Sequence, residues 1–410
     1  MTINSRSLTI TGPMNIFIAD KLSSGAVKTL EQLGATVTVN PEASAQTLPD
    51  LIGNAEVLIV RSTQVTAATI QAATALSLII RAGAGVNTID LTAANSRGIH
   101  VANCPGKNND AVAELAIGLM IAADRRIVDA TAELRTGSWN KKEYSKARGL
   151  KGRTLGIIGL GAIGRSVARR AQGLEMKVIA WSRSLTPEAA EALGIGYCAT
   201  PRDVAAHADV VSVHVAGTKD TRRMLDTAFF AALKKGAIFI NTARGDVIDT
   251  AALKAAIKEK ELRVALDVFE NEPAPGRAPF EDCELAAAAV CTPHIGASTD
   301  QASEAIAEEA VNIVRNYMTV GKPLNAVNIR AKSSATISLV VRHYNRVGVL
   351  AGVLDELRNQ GVNIEEMENL IFEGGATASC TLRLDDEPSP ATLQAIAKNA
   401  DIIQVSLKRA

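Results

Sequence analysis

Aromatic side chains are scarce, only 3% of this 410-residue chain, too few for a platform that stacks nucleobases. Neither sign of charge dominates. The 44 basic and 43 acidic residues leave a net charge of +1, which gives no electrostatic reason to expect nucleic acid or a membrane surface as partner. Long hydrophobic runs are missing too. The most apolar helix-like run, residues 111–123, contains Glu114 and is too short to cross a bilayer. The opening MTINSRSLTITGPMN has no apolar signal core. Five scattered cysteines, Cys104, Cys198, Cys283, Cys291 and Cys380, show no paired ligand spacing. No metal site is expected, and dispersed thiols fit a reducing compartment, so the expected location is cytoplasmic.

What is present is a soluble chain able to bury large cores, 47% hydrophobic and 21% charged, and long enough for two or three domains. Short apolar runs alternate with helical spacing, the mark of βαβ units and parallel sheets. NIFIAD, ATVTV, VLIV and LIIR form a first series of strands, and TLGIIG, KVIAW, DVVSVH, AIFINT and RVALDV a second. One long amphipathic stretch, residues 112–134, joins them. The fold class is therefore α/β, with two Rossmann-like lobes and a cleft between. Residues 321–334, GKPLNAVNIRAKSS, read as a polar linker. Beyond it the order β-α-β-β-α-β in a short tail describes a ferredoxin-like unit.

In KGRTLGIIGLGAIGRSVARR, Gly159, Gly161 and Gly164 form a GxGxxG between an apolar strand and an amphipathic helix. The first glycine permits the turn, the second lets backbone approach a pyrophosphate, and the third allows close helix packing. The phosphates would meet the unpaired N–H groups of the helix N-terminus. An NAD site usually carries an acid about 20 residues on, for the ribose 2′-hydroxyl. Here Ser182 and Arg183 follow KVIAW, and a hydroxyl beside a guanidinium suits a 2′-phosphate. The cofactor is thus NAD or NADP, with NADP supported by this pair.

Arg244 in INTARGDVID, Glu272 in LDVFENEP and His294 in CTPHIGAST each follow an apolar run. Each is therefore placed at a strand's carboxyl end, where open α/β sheets bind ligands. Oxidising an alcohol by hydride loss needs a base for the hydroxyl proton, and histidine titrates near neutrality. A carboxylate on the far ring nitrogen orients the imidazole, and an arginine fork holds a substrate carboxylate.

With these motifs in order, GLGAIG, NTARGDVID, LDVFENEP and TPHIGAST, the chain resembles the D-isomer-specific 2-hydroxy-acid dehydrogenases. The resemblance implies a discontinuous substrate domain of residues 1–103 and 295–330, with a nucleotide domain of residues 104–294 inserted between. It implies His294 as acid/base, Glu272 as its partner and Arg244 as the residue that orients substrate. It gives Ala162 and Ile163 to the pyrophosphate, Thr242 and Ala243 to the nicotinamide pocket, Asp267 to the carboxamide, and Gly296 to the cofactor site. Gly83, Gly85 and Val86 fall in the loop whose amides receive the substrate carboxylate. Within the family the chain resembles members that oxidise 3-phosphoglycerate. Arg61 would then meet the phosphate, with Arg81 near the same substrate cleft, and Lys141 would reach a neighbouring subunit's site.

The tail, residues 335–410, is similar to ACT domains that bind amino acids. The resemblance implies that His343, Asn345, Gly348 and Asn363 hold L-serine between two subunits of a homodimer or homotetramer. Two other readings stay open: an NADPH-dependent glyoxylate or hydroxypyruvate reductase on the same scaffold, and a non-catalytic sensor of dinucleotides.

Overall fold

Four-residue apolar runs, too short for helices and bounded by polar or glycine-containing turns, become parallel strands covered on both faces. The computed structural model describes residues 12–273, 278–330 and 333–409, so the opening segment and the last residue lie outside the described residues. The first sheet holds β1 (Asn15–Ile18), β2 (Thr36–Val39), β3 (Val57–Val60), β4 (Leu78–Arg81) and β5 (His100–Asn103) in the order β2-β1-β3-β4-β5. This is the flavodoxin-like winding. Val60 pairs with Arg81 across β3 and β4, so Arg61, the next residue, emerges beside Arg81.

The second sheet contains β6 (Thr154–Ile158), β7 (Lys177–Trp181), β8 (Gly196–Tyr197), β9 (Val210–Val213), β10 (Ile238–Asn241), β11 (Arg263–Leu266) and β12 (Ala289–Cys291). Its order, β12-β11-β10-β9-β6-β7-β8, reverses between β6 and β9, which opens a ligand crevice outside their carboxyl ends. The shortest strand, β8, carries no periodicity to find, while β12 is the three-residue end of the apolar run expected before His294.

The long amphipathic stretch expected over residues 112–134 is two helices, Asn109–Arg125 and Ile127–Arg135, broken where Arg126 adopts φ 50°. The first buries Ala116, Leu119 and Met120 in one core with Ile238 and Ile240 of β10. The second buries no residue, so no shared core face requires the two to run on as one rod. Helix Asp300–Val320 returns to the first sheet, packing Ile306, Ala310 and Val314 with Ile16, Ile18 and Ile80.

The expected linker is partly structural. Val327 N–H donates to Val101 O (2.8 Å), and the Asn328 amide accepts from Val101 N (2.8 Å) and donates to Ile99 O (2.9 Å). Strand β5 is an edge with open donors and acceptors, and residues 325–328 satisfy several of them. The chain then parts into a second compact unit that begins at Ile329. It contains β13 (Ile337–Tyr344), helix Val349–Gln360, β14 (Ile364–Ile371), β15 (Thr377–Leu384), helix Pro390–Ala397 and β16 (Ile402–Arg409). The antiparallel order β14-β15-β13-β16 and the alternating burial of β15 leave one face for the two helices. That is the ferredoxin-like arrangement.

Candidate active site

The glycine turn after β6 behaves as its spacing predicts. Gly159 has φ 97°, and a side chain there would meet the His214 carbonyl at 2.8 Å. At Gly164 an added Cβ would run into the Gly159 carbonyl oxygen, whereas Gly161 faces open space. Gly161 caps helix Ala162–Gly173 without any side-chain hydrogen bond. The first-turn amides, including those of Ala162 and Ile163, are thus left for an anion. Thr242 Oγ1 is buried with no partner among the described residues. An open cradle at a helix start, with an orphaned hydroxyl at the end of β10, fits a dinucleotide. Ser182 is half-buried directly after β7, and Arg183 is exposed.

Beyond β11, Asp267 is 1% exposed and organises the next loop. Its carboxylate accepts from Thr292 Oγ1 (2.6 Å), Ile295 N (2.8 Å) and Gly296 N (2.9 Å), while its carbonyl accepts from His294 N (2.8 Å). His294 is wrapped into φ 51° by these bonds, and its Nδ1 lies 2.6 Å from Glu272 Oε2. The other Glu272 oxygen accepts from Phe269 N at 3.1 Å. Burial alone would raise the Glu272 pKa. The hydrogen bond and charge of His294, the Phe269 N–H and the charge of Arg244 together carry it below the ordinary carboxylate value. An ionised Glu272 accepts the Nδ1–H as a hydrogen bond and leaves Nε2 as the ring's open position.

Arg244 is set by a residue the sequence reading missed. Asn241, fully buried at the end of β10, accepts from Ala243 N (3.0 Å) and donates to Arg244 O (2.9 Å). Gly217 lies beneath the Arg244 side chain, where a Cβ would sit 3.0 Å from its Cγ. From the first-sheet side, a Cβ on Gly85 would stand 2.8 Å from Arg244 Nη2. The Gly83 N–H turns back on the Arg81 carbonyl (2.7 Å), and the Arg81 guanidinium fills the place of a Gly83 side chain. Gly83 is therefore the surface Arg81 lies on, with its N–H turned to the Arg81 carbonyl. Burial, then the like charges of Arg244 and Arg61, pull the Arg81 pKa down. Arg81 and Arg244 thus border one glycine loop, Gly83 to Gly85, and Arg61 emerges beside Arg81.

A carboxylate beside Arg61 and Arg81 is already engaged. Asp20, after β1, accepts from Arg61 N (2.6 Å), Ser62 N (3.2 Å), Thr63 N (3.1 Å) and Ser62 Oγ (2.9 Å). Burial opposes its ionisation, yet these four donors hold its pKa below the usual range. Its one signal in the sequence is an acid closing the apolar run NIFIAD. Val86 is half-buried in the same glycine loop as Gly85. Lys141 is exposed on the one-turn helix Lys141–Tyr144, and no described hydrogen bond or ion pair takes it to this cleft.

The tail does not assemble the expected effector residues within one chain. His343 is 2% exposed, with Nδ1 at 2.8 Å from Tyr344 O and Nε2 at 3.3 Å from Asn369 Oδ1. Asn345 Nδ2 donates to Gly375 O at 3.0 Å, near the start of β15. Asn363 N–H donates to Asp385 Oδ1 at 2.8 Å, past the end of β15. The whole strand, about 25 Å by its rise, separates the two asparagines. Gly348 caps the intervening helix with φ 86°.

A doubly wound sheet with this glycine turn, and a histidine–carboxylate pair beside it, define the class as a nicotinamide-dependent oxidoreductase. Residues 117–296 match the NAD binding domain of the D-isomer specific 2-hydroxyacid dehydrogenases. Over 367 residues the chain is 40% identical to the D-3-phosphoglycerate dehydrogenase of Methanocaldococcus jannaschii, covering 88% of this chain and 68% of that one. It is 41% identical over 263 residues to the glyoxylate reductase of Thermococcus litoralis, 62% of this chain and 77% of the relative. A solved NAD+-bound 3-phosphoglycerate dehydrogenase from Entamoeba histolytica superposes with TM-score 0.65 at 28% identity, covering 78% of this chain and 99% of the other. The chain belongs to the D-isomer specific 2-hydroxyacid dehydrogenase family. It spans 59% to 68% of the length of the archaeal D-3-phosphoglycerate dehydrogenases it matches.

Proposed function

We propose that the protein oxidises D-3-phosphoglycerate to 3-phosphohydroxypyruvate, passing hydride to NAD(P). The observation that carries this reading is the grouping of Arg81 and Arg244 on the Gly83–Gly85 loop with Arg61 emerging beside Arg81, while Asp20 is committed to the Arg61 loop. A substrate with a carboxylate at one end and a phosphate at the other answers that excess of positive charge. Arg244 and the amides from Gly85 to Val86 take the carboxylate, and Arg61 and Arg81 the phosphate. His294 Nε2 removes the C2 hydroxyl proton, and Glu272 stabilises the imidazolium that forms. The bound nicotinamide supplies the hydride acceptor. Gly159, Gly161 and Gly164 with Ala162 and Ile163 hold its pyrophosphate, Ser182 and Arg183 its ribose. Thr242, Ala243, Asp267 and Gly296 line the ring pocket.

In this reading residues 1–103 and 295–330 form the substrate lobe, supported by the packing of helix Asp300–Val320 on the first sheet. Residues 104–294 form the nucleotide lobe, and residues 335–410 a regulatory domain for L-serine in a cytoplasmic homodimer or homotetramer. Among the described residues no helix is long and apolar enough to cross a membrane. A second reading, an NADPH-dependent glyoxylate or hydroxypyruvate reductase, is favoured by Ser182-Arg183 in place of an acid after β7. A substrate panel crossed with both cofactors on purified protein separates them. Faster turnover of 3-phosphoglycerate than of glycerate supports the first. Preference for glyoxylate or hydroxypyruvate with NADPH selects the second.

A further inference from the structure

At the amino ends of the second sheet's strands, opposite the cofactor crevice, lies a cavity of about 570 Å³. Arg153 precedes β6, Lys235 stands before β10, and Arg263 opens β11. With Arg126, Lys146 and Arg148 they put six cationic side chains in its wall. Three acids also line it, Asp124, Asp129 and Glu261, so the wall carries an excess of three positive charges (six minus three). Each acid is already engaged. Asp124 is 2% exposed and binds Arg153 Nη1 (2.9 Å) and Gly149 N (3.0 Å). Asp129 pairs with Arg126 at 3.1 Å, and Glu261 with Lys235 at 2.8 Å. Counting Glu143 as well, which reaches Arg126 and Lys146, two charges remain uncompensated.

The deepest cation is not fully satisfied. Arg153 is 7% exposed, and its Nε has no partner among the described residues. Its Nη atoms bond Asp124, Gly149 O and Asp209 O. Burial lowers its pKa, and the like charge of Arg148 adds to this against the opposing charges of Asp124 and Asp209. Arg263 donates to the Asp124 carbonyl at 2.5 Å. Arg263 bonds only the backbone carbonyls of Ala123 and Asp124 among the described residues. Buried or half-buried guanidiniums in excess of carboxylates are stabilised by an anion that accepts several donors at once.

We propose that this cavity binds a small molecule carrying at least two phosphoryl groups, at a site distinct from both substrate and cofactor. A volume of about 570 Å³ is that of a small-molecule site and far exceeds one phosphate ion. Strand β6, five residues long, separates Arg153 from the glycine turn at Gly159 by about 20 Å. The cavity shares no lining residue with the glycine turn.

The test is calorimetric titration of inorganic pyrophosphate into the full chain saturated with NADH, which occupies the nucleotide site. Wild type is expected to bind one pyrophosphate per chain, and orthophosphate at least tenfold more weakly. Arg148→Ala and Lys235→Ala, both at exposed positions, should each weaken pyrophosphate at least tenfold. Arg61→Ala, in the substrate cleft, should leave it unchanged. Absence of heat in wild type, survival of full affinity in Arg148→Ala, loss in Arg61→Ala, or equal affinity for orthophosphate would each overturn the assignment.

Discussion

His294 Nδ1 stands 2.6 Å from Glu272 Oε2 while the His294 backbone is held at φ 51°. A left-handed conformation is unfavourable for a residue with a side chain and persists where its surroundings over-determine it. Asp267 does so here, collecting three donors from the same loop on its carboxylate. The imidazole is therefore fixed from two sides, its backbone by Asp267 and its ring by Glu272. His294→Ala should lower kcat by about 100-fold or more, the contribution of a positioned acid/base, with NADH affinity retained by fluorescence titration. Glu272→Gln should cost less and move the pH–rate profile. An active His294→Ala enzyme with unchanged pH dependence would end this mechanism.

Asp20 and Arg61 give a prediction that separates positioning from bulk stability. Asp20→Asn replaces an anion serving four donors with a neutral amide, and hydrogen bonds to charged groups contribute about 1.5–3 kcal/mol each. KM for 3-phosphoglycerate should rise about tenfold or more, as in Arg61→Ala, while kcat and KM for unphosphorylated hydroxy acids move little. Steady-state kinetics on both substrate types check this. A uniform loss across substrates would make Asp20 a scaffold residue only.

Cofactor choice rests on the segment after β7. Ser182→Asp would place a carboxylate beside a 2′-phosphate and should weaken NADP(H) selectively, sparing or improving NAD(H). Binding of both cofactors to wild type and variant measures it. If wild type already rejects NADP(H), the argument from Ser182 and Arg183 is wrong although the hydride chemistry stands.

His214 supplies the pH dependence of stability. Its Nε2 lies 2.8 Å from Ser212 Oγ, its Nδ1 is buried without a partner among the described residues, and burial drives its pKa to about 4 from 6.5. The folded ring stays neutral where the unfolded ring is protonated. Its contribution is complete above pH 6.5 and is lost as pH falls toward 4. In His214→Gln the slope of unfolding free energy against pH in that window should fall by about one proton. Urea unfolding at several pH values reads it directly, and an unchanged slope would mean the ring is solvated.

Serine recognition by the tail should need two chains, because Asn345 and Asn363 flank opposite ends of β15. L-serine is expected to give calorimetric heat with the oligomer and to lower activity. Asn345→Ala should abolish the heat. Serine heat that persists unchanged in Asn345→Ala would refute the site, and no heat in wild type would leave the domain as an assembly contact.

The sequence by itself determined whatever depends on neighbours along the chain. The strand–glycine–helix unit at Gly159 was legible because a turn and a close helix packing each demand a missing Cβ at fixed spacing. Arg244, Glu272 and His294 were legible as residues closing apolar runs, since a parallel sheet sends all its strand ends to one side. The antiparallel tail was legible in its element order.

Only the tertiary structure decided which ends meet. Asp20 serves the Arg61 loop from 41 residues away, and Gly85 abuts Arg244 from the other sheet. Residues 325–328 complete the edge of β5 instead of running free, and the long helix breaks at Arg126. In the tail, strand order buried His343 and set Asn345 and Asn363 apart. Local propensity fixes a segment's type, but register and strand order come from the packing of distant apolar faces. Which donors and charges face each other follows from that packing.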